Sequence, residues 1–483
     1  TTLTKAGTGT LALSNNNSYS GTTTVTGGTL SLQNSGALGA SSATMNSSTN
    51  LLLVGTGLTI NNILAFQTNT TLVDNNANGN NILGTGGITL AGTFNINVAN
   101  PTNSVLTITG NITGTGLIIN KSGLGNLRFS GNKGYTGNLN VNSGTVTLMN
   151  NNSAGTSGGL VTVRSGAVLL ISGTGLNIPN PITFQANGSI TDNNATGGNT
   201  LSGAITLATG INTINVNGST ANVLTLTGIV SSGGAVTLNK TGVGVLALTN
   251  SNTFTGTTNI NAGTIRLITN AAALNNTNVI VNVNPGATLD ISNALGASFT
   301  NTLNMSSATL LVSGTNTLAT GNLTLSGNNV IDSSGTLTIS KTMSGNGTLS
   351  FVNAAGTVIM TGTNNYTGAI NLAAGTLTVG NASGLGTGVL NLNGGTLNAN
   401  GTFTLANTSF TVGGVAIIGG SNNITLPTGT INSTGQLTIS NSATTNFNGA
   451  LSGNGNLIIS AGTTQLSASN ASYSGDITLN GGT

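Results

Sequence analysis

The sequence predicts an all-β fold, a right-handed parallel β-helix of roughly 22 to 25 coils with no helices of note. Three observations carry that expectation. A signature of about 28 residues returns along the chain, the mark of stacked units that bury their apolar faces only against one another. Within each full copy two glycines keep one fixed separation: Gly9 and Gly28, Gly125 and Gly144, Gly244 and Gly263, Gly356 and Gly375. The rest of the chain is a succession of short alternating runs, such as Leu11-Ala12-Leu13, Phe94-Asn95-Ile96-Asn97-Val98 and Leu106-Thr107-Ile108.

Each short run reads as a strand, because apolar residues alternate with Thr, Asn or Ser at a period of two. Gly-Gly, Asn-Gly, Ser-Gly and Thr-Gly pairs separate the runs and supply the positive φ angles of tight corners. No window is free of Gly, Asn and β-branched residues for long enough to form a convincing helix. A sandwich or barrel would need longer strands joined by hairpins. A chain that meets an equivalent apolar pair at the interval of those paired glycines is coiling instead, around a narrow column of Leu, Ile and Val. At about 4.8 Å per coil the stack would be a rod on the order of 110 Å long.

The signature itself is specific. The first copy runs Lys5, Gly7, Gly9, Leu11, Leu13, Tyr19, Gly21, Val25, Gly28, Thr29, Leu30; the second runs Lys121, Gly123, Gly125, Leu127, Tyr135, Gly137, Val141, Gly144, Thr145, Val146. The third places Lys240, Gly242, Gly244, Leu246, Phe254, Gly256, Ile260, Gly263 and Thr264 in the same order. A fourth lacks the lysine but keeps Gly356, Val358, Tyr366, Gly368, Leu372, Gly375 and Thr376, and a fifth begins at Tyr473, Gly475, Ile477 and Leu479. The longer interval, from Gly28 to Gly144, Gly263, Gly375 and Gly482, suggests about six coils per super-repeat. One continuous β-helical segment, residues 1–483, is therefore expected, with super-repeats at approximately 5–120, 121–239, 240–351 and 352–460 and a partial copy at 461–483. The first two super-repeats also agree outside the signature, at Phe66-Gln67 and Phe184-Gln185 and at Asp74-Asn75-Asn76-Ala77 and Asp192-Asn193-Asn194-Ala195.

Composition narrows the chemistry. Only 3% of the residues are charged, against roughly 25% in an ordinary globular protein. The 37% hydrophobic content is too high, and the net charge of +3 too low, for disorder. The eight Lys and Arg residues are scattered singly, without the patches or stacking aromatics of a nucleic-acid binder. No apolar run is long enough for a membrane helix. With no cysteine there is neither a disulfide framework nor a thiolate metal site. The chain starts at Thr1 and stops inside a repeat, which reads as a segment of a longer precursor, its leader either removed or omitted.

The string K-x-G-x-G-x-L-x-L-S-x-N-x-x-Y-[ST]-G-x-x-x-[VI]-x-x-G-T, carried at residues 5–30, 121–146 and 240–265, resembles the autotransporter-associated β-strand repeat of large bacterial type V secreted surface proteins. The copies cover roughly a quarter of the chain. The resemblance implies a secreted β-helical passenger at the bacterial cell surface, commonly used for adhesion, with a glycan or protein receptor on a host cell or other surface as its partner. A C-terminal membrane barrel is not among these residues, and membrane insertion of this segment is not expected.

His, Cys, Trp and Glu are absent, which removes Ser-His-Asp and Cys-His nucleophiles, glutamate acid-base pairs and the usual transition-metal ligands. Asp74 and Asp192 stand one super-repeat apart, too far for a glycosidase pair, and Asp290 with Asp332 is the only conceivable pair, at two coils or about 10 Å. Both pairs read more simply as turn residues: ordinary Asx turns for Asp74 and Asp192 in place of weak calcium sites, and solvated turns for Asp290 and Asp332. Lys5, Lys121 and Lys240 read as solvated corners. The aromatics Tyr19, Tyr135, Phe254, Tyr366 and Tyr473 hold one fixed position before a turn glycine and read as covers on the core, not as a sugar-stacking row. Thr-x-Thr patterns such as Thr22-Thr23-Thr24 and Thr107-Ile108-Thr109 resemble ice-binding arrays, but β propensity without charge produces the same pattern. No cofactor or metal is expected, and no catalytic residue. The function expected is that of a non-enzymatic extracellular stalk or adhesin-type passenger. The rival is a filament or coat protein whose copies self-associate, since almost no charge repels them.

Overall fold

A computed structural model describes residues 1–100, 103–268, 271–274, 279–293 and 298–483. It divides into two compact units, Thr1–Leu246 with Thr253–Thr255, and Ala247–Asn252 with Gly256–Thr483. Each unit is a parallel β-solenoid, the fold the alternation of the sequence demands. A coil of the first unit contributes three strands, for example Leu64–Phe66, Thr70–Asp74 and Gly79–Leu83, and the next coil repeats them as Ile88–Leu90, Thr93–Val98 and Ser104–Ile108. Each strand pairs in parallel with its counterpart one coil on. The one helical turn among the described residues is the 3-10 segment Ala271–Leu274.

The burial pattern within a strand is the period-two pattern of the sequence. Thr93–Val98 alternates half-buried Thr93, Asn95 and Asn97 with buried Phe94, Ile96 and Val98. The inward residues stack into columns. Leu30, Leu51, Leu72 and Ile96 are each 0% exposed in consecutive register. Each such aliphatic side chain, once withdrawn from water, stabilises the stack by about 1.5 to 3 kcal/mol.

Register corrects the expected length of the super-repeat. From Leu11 the columns step through Leu30, Leu51, Leu72 and Ile96 to Lys121, which is five coils. From Leu127 they step through Val146, Leu169, Ile190 and Ile214 to Lys240, again five. In the second unit, Val358 leads through Leu377, Leu397, Ile418 and Ile439 to Ile459, also five. The lysine slot of one copy therefore lies in the sheet that held the Leu-x-Leu strand of the copy before. A super-repeat is five coils plus one face of the solenoid, where about six coils were expected. The reason is unequal coil length: the coil from Leu11 to Leu30, at the signature, is the shortest of the five, and those from Leu72 to Ile96 and from Ile96 to Lys121 are the longest.

This advance explains where the sheets break. In the first unit the sheet that starts with Leu3–Lys5 ends at Ile112–Thr113. Two strandless coils follow on that face, joined by isolated backbone bonds such as Thr136 N to Gly114 O at 3.0 Å, Lys133 N to Asn152 O at 3.2 Å and Thr156 N to Tyr135 O at 3.0 Å. The second unit repeats the break after Thr342–Gly345, with Thr367 N to Gly345 O at 3.0 Å and Thr387 N to Tyr366 O at 2.8 Å. At each break the signature aromatic replaces a strand.

Candidate functional site

The signature side chains converge at the corners and breaks of the solenoid. Tyr135, Phe254 and Tyr366 are each 0% exposed, whereas Tyr19 and Tyr473, in the outermost coils, are half-buried. A strandless coil leaves the core wider than an aliphatic side chain fills, and the ring occupies that space. The hydroxyl of Tyr135 donates to Ala154 O at 3.0 Å, that of Tyr366 donates to Gly347 O, and that of Tyr473 donates to Gly455 O at 2.8 Å. Burial holds the Tyr135 and Tyr366 phenols above their ordinary range, so they stay protonated and keep the proton they donate. No row of rings faces solvent in the inner copies, so sugar stacking has no platform there.

The glycines fall into two kinds. Gly28, Gly144, Gly263 and Gly375 have φ of 69°, 65°, 63° and 79°, the left-handed corner that only glycine takes without strain. The others mostly make room for a neighbouring coil. A Cβ on Gly21, Gly137, Gly368 or Gly356 would run into the carbonyl of Thr1, Leu117, Gly347 or Ser333, and one on Gly125 or Gly244 would press on Val98 or Val216. Gly9 meets nothing, and Gly256 has a φ of 114°.

The lysines are not solvated corners. Lys5 is 7% exposed, and Lys121 and Lys240 are 0% exposed. Each occupies an inward register position, Lys121 opposite Val141, and its ammonium is held by carbonyls at the corner. Lys5 Nζ donates to Ala6, Gly7 and Gly27 O at 2.7, 2.8 and 2.9 Å, and Lys121 Nζ to Gly123 and Ser143 O at 2.8 and 3.1 Å. Lys240 Nζ donates to Thr241 and Gly242 O at 2.9 and 2.7 Å. The G-x-G turn points its carbonyls inward, where a strand cannot pair them, and a long flexible donor satisfies them. Where the turn changes, so does the slot: it is filled by Phe351, opposite Leu372, and by Ile459, opposite Leu479. Lys133, inside the second copy but not at a recurring position, and Lys341, outside the signature, are buried in the same manner. Lys133 Nζ bonds Gly131 O at 2.8 Å and lies 5.8 Å from the Phe129 ring, and Lys341 Nζ bonds Asn301 and Thr320 O at 2.6 and 2.5 Å. Burial draws Lys121, Lys133, Lys240 and Lys341 down to about 8.

Asp74 and Asp192 are not ordinary Asx turns either. Both are 0% exposed and end strands, Thr70–Asp74 and Ser189–Asp192, with their side chains inward. Asp74 Oδ1 accepts from Asn81 Nδ2 at 2.8 Å, and Asp192 Oδ1 accepts from Asn194 and Asn199 Nδ2 at 2.7 and 3.2 Å. The second oxygen of each has no hydrogen-bond partner among the described residues. Burial raises both carboxyls to about 6 against those hydrogen bonds. The turn role falls to Asn76, whose Oδ1 accepts from Asn78 N at 3.1 Å. Sequence carried a signal for these clusters that composition concealed: an Asn at the same distance after the Asp in both super-repeats, Asn81 and Asn199, at the head of an alternating Asn-x-Leu run.

Asp290 and Asp332 lie two coils apart, through Leu311, as expected. They are strand residues and not solvated turns, because each has a side-chain partner one coil away, Arg266 in register with Asp290 and Asn353 just past the strand that pairs with that of Asp332. Asp290, 4% exposed, accepts from Arg266 Nε at 2.7 Å, and Asp332 accepts from Asn353 Nδ2 at 2.7 Å. No group of three or more metal-ligating side chains occurs among the described residues. The first unit carries a cavity of about 540 Å³ edged by Ser20, Ser35, Ser41, Thr59, Asn61 and Ile63, a set with no acid, base or aromatic ring.

Five segments, residues 3–32, 119–148, 238–267, 355–379 and 459–483, match the passenger-associated-transport-repeat. No curated protein and no solved structure matches the chain at a significant level.

Proposed function

We propose that this chain, a β-solenoid carrying five copies of an autotransporter passenger repeat, is a non-enzymatic stalk of a secreted bacterial surface protein, holding an adhesive surface away from the cell. The observation that carries this reading is the inward direction of the chemistry. Lysines, carboxylates and tyrosine hydroxyls, the groups from which an active site would be assembled, are tied up with carbonyls and side-chain amides of their own coil or the next. Buried polar groups used in this way fix a corner and a register; they do not meet a substrate. The repeats supply length, and any receptor would be met by outward Thr, Asn and Ser spread over several coils.

Cells producing the full-length precursor test it. Added protease should release fragments bearing these repeats from intact cells, and the purified 483-residue chain should bind immobilised host-cell matrix or glycans saturably. Repeats that stay protected until the cells are lysed would refute the surface assignment. Ladders of stacked amides favour the self-assembling filament as a second reading: Asn120 Nδ2 donates to Asn95 Oδ1 and Asn140 Nδ2 to Asn120 Oδ1, at 3.0 and 2.9 Å. Electron micrographs of the purified chain decide between them, since that reading requires ordered lateral assemblies.

A further inference from the structure

The second unit presents one outward face of unusual regularity. Five consecutive coils place the strands Thr315–Leu318, Thr336–Ile339, Thr357–Met360, Thr376–Val379 and Thr396–Ala399 in one sheet. Their inward residues, such as Leu337, Ile339, Leu377 and Val379, are buried at 0% exposure. Their outward residues form two columns in strict register. One is Thr315, Thr336, Thr357, Thr376 and Thr396; the other is Thr317, Thr338, Ile359, Thr378 and Asn398. Threonines recur at about 4.8 Å from coil to coil and about 6.6 Å along each strand.

Three properties set this face apart. None of its eight threonine hydroxyls bonds to a protein group among the described residues, whereas on the neighbouring sheet Asn391 Nδ2 donates to Asn371 Oδ1 at 2.6 Å and Thr411 Oγ1 to Asn391 Oδ1 at 2.7 Å. The face therefore keeps its hydrogen-bonding capacity for solvent. β-Branching leaves each threonine few rotamers, so its methyl and hydroxyl groups are held in a repeating pattern. The two columns contain no charge and no aromatic ring. The Thr-x-Thr segments singled out by sequence lack these properties: Thr23 is buried against Ser41 Oγ at 3.0 Å, and Thr107 donates to Asn80 Oδ1 at 2.7 Å.

A partner for such a face must be uncharged, hydrogen-bonding and periodic in two directions. A sugar polymer would be gripped by stacking rings, and a polyanion by Lys and Arg, and neither is present. A second copy of the chain fits poorly, because five coils by two columns offer only about 250 Å² where a stable contact takes roughly 800 Å² per partner. Ordered water remains. We propose that this threonine face binds ice, its rigid hydroxyl and methyl lattice holding water in positions continuous with an ice surface.

The 483-residue chain tests this directly. Nanolitre osmometry should show thermal hysteresis and faceted ice crystals, and fluorescently labelled protein should be taken up into a growing ice front. Thr338→Lys, a charge in the centre of the array, should lower the hysteresis about tenfold at equal concentration, as expected where a few central residues carry binding. Thr183→Lys, at an outward position in the first unit between Thr162 and Thr206, should leave it unchanged. Circular dichroism verifies that each variant is folded. Absence of hysteresis and ice shaping in the folded chain overturns the proposal, as does full activity of Thr338→Lys. A dimer in sedimentation velocity that Thr338→Lys abolishes would assign the face to a second copy, and overturns it as well.

Discussion

The buried carboxyls Asp74 and Asp192 should make this protein more stable in mild acid than at neutral pH, opposite to the usual direction for carboxylates. Each rises from 3.8 to about 6 on folding because it is taken out of water with one oxygen unpaired. A carboxyl whose folded value is raised gives its full stability below pH 3.8, loses it as pH climbs toward about 6, and is at its least favourable above that. The shift corresponds to about 2 to 3 kcal/mol per site at pH 7. Asp192→Asn removes the charge but places an amide where Oδ2 had no partner, a cost of about 1 kcal/mol, so a net gain of about 1 to 2 kcal/mol is expected at pH 7 and none at pH 4. Because a solenoid opens locally, hydrogen exchange of residues 70–98 and 189–216 is the suitable assay, alongside denaturant melts of wild type and the Asp74→Asn/Asp192→Asn double variant at constant ionic strength. The difference between the two proteins isolates these carboxyls from every other group. If that difference does not vary between pH 4 and 7, or if Asp192→Asn destabilises at pH 7, the burial argument is wrong.

Other outcomes follow from the corners and breaks. Lys121→Ala should cost about 2 to 4 kcal/mol, read as faster exchange in the coils at 117–148, since it opens a cavity and strips Gly123 and Ser143 of a donor. Lys121→Met should cost less, as this slot accepts Phe351 and Ile459 in later copies. In thermal or denaturant melts Tyr135→Phe should lose about 1 kcal/mol, for one hydrogen bond, and Tyr135→Ala about 3 to 5 kcal/mol, for the ring that fills the strand break. Gly144→Val should destabilise its corner by at least about 2 kcal/mol, because a φ of 65° is strained for a β-branched residue and its Cβ would meet the Gly123 carbonyl. Limited proteolysis near residue 144 reads that directly.

The fold was legible because it rests on local rules. Period-two alternation sets which side of each strand is buried, and turn glycines set where the chain bends; Thr93–Val98 follows both. A recurring signature whose paired glycines, such as Gly9 and Gly28, keep one separation then leaves coiling as the simplest arrangement. The polar signature residues were misread for a physical reason. A lone Lys or Asp beside glycines looks like a solvated turn, since the cost of burying a charge is the first consideration and its partners are backbone atoms that every sequence contains. The carbonyls that receive Lys121 belong to Gly123 and to Ser143, and nothing in those residue types announces that they point inward.

Composition and periodicity act within a coil, so they were enough to establish the β-solenoid, the alternation along its strands and the absence of His, Cys and Glu chemistry. Whatever passes between coils needed the folded chain. The five-coil-and-one-face super-repeat comes from the sum of unequal coil lengths, and the burial of Lys121 comes with the Ser143 carbonyl that the next coil brings to it. The threonine columns on the second unit likewise exist only because the registers from Thr336 to Thr357 to Thr376 align strands from successive coils.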